Sequence, residues 1–96
     1  MKPSYSFKQH RAAIRQIIRR HHADNARIFG SVLKGTDKEG SDLDIIVDPT
    51  PSTTLMDIGA MRLELRNLLG VDVDILTPKS LPDHYREQVL RDAQPV

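Results

Sequence analysis

Residues 29–47 read FGSVLKGTDKEGSDLDIIV, from Phe29 to Val47. A glycine-serine pair, Gly30-Ser31, interrupts an apolar stretch, and a polar, glycine-bounded loop follows over 36–40. The run from Asp42 to Val47 then alternates, which predicts a strand. Leu43, Ile45 and Val47 take one face; Asp42, Asp44 and Ile46 take the other. Two carboxylates on one side of a half-buried strand are costly unless something positive binds them. The rest of the chain is read as support for that pair.

Upstream, Ser6-Phe7-Lys8-Gln9 has the form of a capping box, with Gln9 able to reach back to the Ser6 backbone. Phe7, Ile14, Ile17, Ile18 and His21 recur at helical spacing, so a helix is expected from Ser6 to about His22, with Asp24-Asn25 as the turn after it. Arg27 to Phe29 reads as a short strand stopped by Gly30, and Ser31 to Lys34 as a single helical turn. Downstream, Pro49 and Pro51 end the second strand. Thr54-Leu55-Met56-Asp57 is another capping box, opening a helix with Ile58, Met61, Leu65, Leu68 and Leu69 on its stripe, and Gly70 fits the left-handed cap. Val71 to Leu76 alternates again, with Asp72 and Asp74 opposite Val71, Val73 and Ile75. A last helix starts near Ser80-Leu81-Pro82-Asp83. The order α-β-α-β-α-β-α predicts an α/β (α+β) domain, a small mixed sheet flanked by helices, with the whole of 1–96 as one domain.

Composition narrows the classes. The apolar share of 39% and charged share of 28% suit a globular chain rather than a disordered one. A formal charge of +1 offers no broad footprint for nucleic acid or membrane, so neither is expected as a direct partner. Arg11, Arg15, Arg19 and Arg20 cluster, but at helical spacing that is what a solvated face carries. With no cysteine, disulfides, thiol chemistry and cysteine-held zinc are excluded. No apolar run reaches membrane-spanning length and no signal-peptide core opens the chain, so a cytoplasmic protein is expected. His21 and His22 are adjacent, and neighbours on a helix point about 100° apart, poor geometry for chelation.

The spacing does imply chemistry elsewhere. Asp42 and Asp44 suit magnesium, which takes one or two protein carboxylates and completes its shell with water and phosphate oxygens. If the third strand neighbours the second, Asp74 joins them, as in clusters holding two metals for displacement at phosphorus. Alone, a D-x-D is also what a half-exposed sheet face carries; the preceding Gly-Ser turn and the second D-x-D favour a site. Gly30 lets backbone approach a ligand, and amides opening a helical turn face an anion, with the Ser31 hydroxyl beside them. The G-x-x-x-x-G-K-[ST] spacing of a Walker loop is absent. Asp72 lies about 7 Å from Asp74 along the strand and reads as a solvated strand-start residue.

The combination Phe29-Gly30-Ser31, Gly35, Ser41-Asp42-Leu43-Asp44-Ile45-Ile46-Val47 and Val73-Asp74-Ile75-Leu76-Thr77-Pro78 resembles the nucleotidyltransferase signature of the polymerase beta superfamily. More closely it is similar to the minimal nucleotidyltransferases, small domains often encoded beside a HEPN-type ribonuclease toxin. The resemblance implies that Gly30, Ser31 and Ser41 belong to the nucleotide site. It implies that Asp42 and Asp44 hold two Mg2+ ions, and that Asp74 shares the catalytic metal and helps activate the attacking hydroxyl. The implied reaction moves AMP from ATP to a hydroxyl, a tyrosine of the cognate toxin, releasing pyrophosphate, and the protein acts as antitoxin. Two departures stand out. Lys34 occupies the place of an arginine, keeping the charge but losing the planar fork, and Lys38 is the sole basic residue in the loop before Ser41. Two other readings remain open at this stage: an antitoxin that works by occlusion without catalysis, and a transferase acting on a small hydroxylated metabolite with a partner subunit.

Overall fold

The computed structural model describes all 96 residues. Its frame is a four-stranded sheet in the order β3-β2-β1-β4. β2 (Leu43–Pro49) lies at its centre, antiparallel to β1 (Ala23–Phe29) and parallel to β3 (Val73–Leu76). The sheet is therefore mixed, as the alternation of elements implied. Parallel neighbours need a crossover, which α4 (Leu55–Leu69) supplies.

α4 forms as its sequence dictates. Thr54 Oγ1 accepts the Asp57 amide while the Asp57 carboxylate accepts the Thr54 amide, the reciprocal box. Gly70 closes the helix at φ +70°, and its amide bonds to the Arg66 carbonyl. Met61, Leu65 and Leu69 face the sheet and are buried. They meet Leu43, Ile45, Val47, Ile28 and Val73 in one core with Ile14, Ile17 and Ile18 of α2 (Arg11–Arg20). Each fully buried aliphatic contributes about 1.5–3 kcal/mol by transfer from water, so this layer, on one face of the sheet only, supplies most of the driving force.

The N-terminal segment differs from expectation. Two helices stand in place of one, α1 (Pro3–Gln9) and α2, broken at His10. Ser6 is no cap: it is buried inside α1, and its hydroxyl donates to the Leu69 carbonyl at 2.7 Å. Pro3, with no amide to lose, starts the helix instead. Its second amide, on Ser4, donates to the buried Asp37 carboxylate at 2.8 Å, a cap lent by a distant loop. β1 also begins earlier than Arg27. Asp24-Asn25 is not a turn ahead of the strand but an irregularity inside it, with Asn25 at φ +52°. His22, at φ +65°, makes the reversal. β3 begins at Val73 rather than Val71, leaving Asp72 exposed and paired with Arg66 at 3.3 Å. A two-residue strand, β4 (Gln94–Pro95), borders β1. It was not foreseen, because two residues carry no period and proline is tolerated only at an edge. No helix is long and apolar enough to cross a membrane.

The other face of the sheet carries little. Ile46, fully buried, sits there beneath the 3-10 turn Pro78–Ser80 and the buried Leu81. Beyond it runs α5 (Asp83–Asp92), which buries no side chain. The Arg86 guanidinium holds its start, donating to the carbonyls of Pro78 at 2.7 Å and Leu81 at 2.6 Å and pairing with Asp83.

Candidate active site

On this second face the register sets Phe29, Asp44 and Asp74 side by side across β1, β2 and β3. Strand neighbours lie about 4.8 Å apart, so Asp44 and Asp74 meet although thirty residues separate them. Burial, and behind it the charges of Asp74 and Asp42 and a hydrogen bond with Asp74, push the Asp44 carboxyl up to about 6. No lysine, arginine or histidine forms an ion pair with Asp42, Asp44 or Asp74. Asp48, on the same face two pleat repeats further on, makes the contrast: Arg27 neutralises it at 2.9 Å. The structure thus compensates an aspartate where it needs a strut and leaves the Asp44–Asp74 pair bare.

Gly30 completes this centre. At φ +77° and ψ −149° it adopts a backbone that a side-chain-bearing residue rarely takes. A Cβ there would also stand 2.5 Å from Asp44 Oδ2. Glycine is therefore required twice, for its dihedrals and for the approach of the carboxylate. The first amides of α3 (Ser31–Lys34) lack intrahelical partners, as in any first turn. The Ser31 hydroxyl makes no hydrogen bond, and Lys34 is exposed and unpaired. Since α3 is four residues long, its free amides matter more than any dipole.

Not every expected residue joins the pair equally. Asp42 precedes the first residue of β2 and is exposed, so the ladder does not fix it. No three acidic or imidazole side chains are arranged to hold a metal among themselves. The expected three-carboxylate cluster is therefore a tight pair with an outlying third member. That donor set still fits magnesium, which leaves much of its shell to water and phosphate. Ser41 departs further. Its hydroxyl accepts the Lys38 amide at 2.9 Å, and it lines a cavity with Asp72 and Arg66 rather than one with Gly30. His21 and His22 are drawn to carboxylates of α4, Nε2 of His21 to Glu64 at 2.8 Å and Nδ1 of His22 to Asp57 at 3.3 Å.

Two features of the site were not read from the sequence. One is Arg62, whose Nε donates to the Val73 carbonyl at 3.0 Å and ties β3 to the crossover helix. The other is the Arg86 clasp that carries α5 across the site face. Both act on backbone carbonyls, which leave no mark in the spacing of residues.

A mixed sheet bearing a bare carboxylate pair beside a glycine-serine turn defines a class, and the comparisons agree with it. The chain belongs to the nucleotidyltransferase domain family, matched over residues 11–96, and is a nucleotidyltransferase. A candidate protein adenylyltransferase of Methanocaldococcus jannaschii is 35% identical over 77 residues, 80% of this chain and 83% of the relative. The protein adenylyltransferase MntA of Thermococcus cleftensis is 37% identical over 65 residues, 68% of this chain and 66% of the relative. Among solved structures, a candidate minimal nucleotidyltransferase superposes with a TM-score of 0.86 at 41% identity, over 97% of this chain and 95% of that one. A toxin-antitoxin complex with AMP-PNP shares the fold, with a TM-score of 0.69 at 23% identity over 83% of this chain and 66% of that one.

Proposed function

We propose that this nucleotidyltransferase moves AMP from magnesium-bound ATP to a hydroxyl of a partner protein, a tyrosine of a HEPN-type toxin, and so acts as its antitoxin. The observation that carries the reading is the Asp44–Asp74 pair, held together by register and left without a cation next to the Gly30 turn. The names of the relatives, protein adenylyltransferases, supply the donor and the class of acceptor.

In this reading Asp44 and Asp74 would hold magnesium together, with Asp42 at the strand entrance as a further ligand. Magnesium held there would offset the charge of the triphosphate and make its α-phosphorus more electrophilic. The free amides following Gly30 and the Ser31 hydroxyl hold the outer phosphates. Asp74 receives the proton of the acceptor hydroxyl. The new bond joins that oxygen to the α-phosphorus; the bond from the α-phosphorus to the bridging oxygen breaks, and pyrophosphate leaves. Lys34, exposed beside Gly30, supplies a point charge to the leaving phosphates.

Incubation with ATP, magnesium and the toxin encoded beside the gene, read by intact mass, tests this. An AMP adduct on the toxin is expected, lost with Asp44→Ala and Asp74→Ala. An unmodified toxin that nonetheless binds the protein sinks the reading in favour of occlusion.

A further inference from the structure

α5 presents a puzzle in packing. A helix normally earns its place by burying an apolar face, yet α5 buries no side chain fully, leaves Val89 and Leu90 only half-buried, and is anchored by Arg86 at its first turn. What lies between it and α3 is a cavity of about 390 Å3. Gly30 and Lys34 line its one side, so it opens directly onto the turn assigned above to the phosphates. Phe29, Leu33 and Val89 supply apolar walls, and Tyr85, Gln88 and Asp92 line it from α5. Tyr85 is 40% exposed. His84 packs against it edge to face, with centroids 4.8 Å apart at 73°, which limits how it can turn. An aromatic surface left partly uncovered, oriented by a neighbour and set over an apolar slot, is a stacking platform.

The volume lies at the small end of small-molecule pockets, adequate for a nucleobase and its sugar. The occupant follows from contiguity: a nucleotide whose phosphates lie on Gly30 and Ser31 has its base one pocket away. We infer that Tyr85 and Gln88 form the nucleobase half of the nucleotide site, Tyr85 by stacking and Gln88 by its amide. This rests on the reading of Gly30-Ser31 as the phosphate turn. It adds that α5 exists to hold the base rather than to complete a core.

The test separates the two halves by using ATP and inorganic tripolyphosphate, each with magnesium, as calorimetric probes of the full chain. Wild-type protein should bind both. Tyr85→Ala should weaken ATP about tenfold, within the range set by base stacking on aromatic side chains, and leave tripolyphosphate unchanged. Tyr85→Phe should retain the wild-type affinity, because it keeps the ring. Ser31→Ala should weaken both probes. Because Tyr85 packs in no core, its variants should unfold at the wild-type midpoint. Equal ATP affinity in wild type and Tyr85→Ala overturns the inference while leaving the phosphate turn intact. Equal losses for ATP and tripolyphosphate in Tyr85→Ala overturn it too. Failure of Ser31→Ala to weaken either probe removes the phosphate turn, and the base pocket with it.

Discussion

Replacing Asp44 with asparagine should stabilise the metal-free protein while ending its activity. The carboxyl is raised from 3.8 to about 6 in the folded chain, first by burial and then by Asp74 and Asp42. A raised carboxyl binds its proton more tightly in the folded state than in the unfolded one. Its contribution to stability is therefore fully present below about pH 3.8 and declines as pH rises toward 6, beyond which it is lost. The gap of roughly 2 units corresponds to a ceiling of about 3 kcal/mol. Asp44 is only half-buried and Asp42 is exposed, so solvent screening reduces the expected figure to about 1–2 kcal/mol. Asparagine has the same shape and no charge, and it can donate to Asp74. Urea unfolding with a chelator at about pH 8 should show the variant more stable by that amount, and at about pH 4 the two curves should converge. Magnesium at about pH 8 should then stabilise the wild type and not the variant, by mass action on the folded state. A variant less stable than wild type at pH 8, or a gain that persists unchanged at pH 4, would refute the claim that burial and charge crowding make the ionised Asp44 costly.

Three further outcomes are expected. Gly30→Ala should cost about 1–3 kcal/mol for its extended, positive-φ backbone alone, and should abolish transfer because its Cβ displaces the Asp44 carboxylate; unfolding and adduct formation read the two effects separately. Asp37→Ala should lower stability by about 1 kcal/mol through loss of the cap on α1. Burial alone would raise this carboxyl, but the Ser4 amide and further hydrogen bonds hold it below its ordinary value, so the deficit should shrink as acid protonates the wild-type group; thermal unfolding at neutral and acid pH measures it. Ser6→Ala should cost about 1–3 kcal/mol, since the buried Leu69 carbonyl loses its donor, with activity per folded molecule retained.

The parts of the fold that the sequence reveals are those specified by local chemistry. The Thr54–Asp57 box, Gly70 and the stripe between them mark α4 almost to the residue, and the alternation at 43–47 gives both the strand and the side its carboxylates occupy. Gly30-Ser31 and Asp74 likewise announce themselves. What escaped was set by distant partners. Ser6 looks like a cap until Leu69, far along the chain, proves to need its hydroxyl, and Pro3 starts the helix in its stead. Asp24-Asn25 looks like a turn, yet β2 pairs with it and draws it into the strand as an irregularity. Asp42 shares parity with Asp44 but lies one residue outside the ladder, so periodicity gave its side and its charge still bears on Asp44, while the strand does not fix its place. The Arg86 clasp and β4 depend wholly on tertiary contacts.

The zero-offset pairing of Asp44 with Asp74 has a consequence for how such a chain tolerates change in length. A strand offers only two facings, so one residue inserted or lost between Gly70 and Val73 turns Asp74 into the core and presents Val73 or Ile75 to Asp44. Nothing intermediate exists. The Asp72 carbonyl, taken by the Leu43 amide, and the Val73 carbonyl, taken by Arg62, resist that slip at the point of entry. Additions therefore belong in the Thr50–Thr53 turn before α4, where a longer loop leaves the two carboxylates in step.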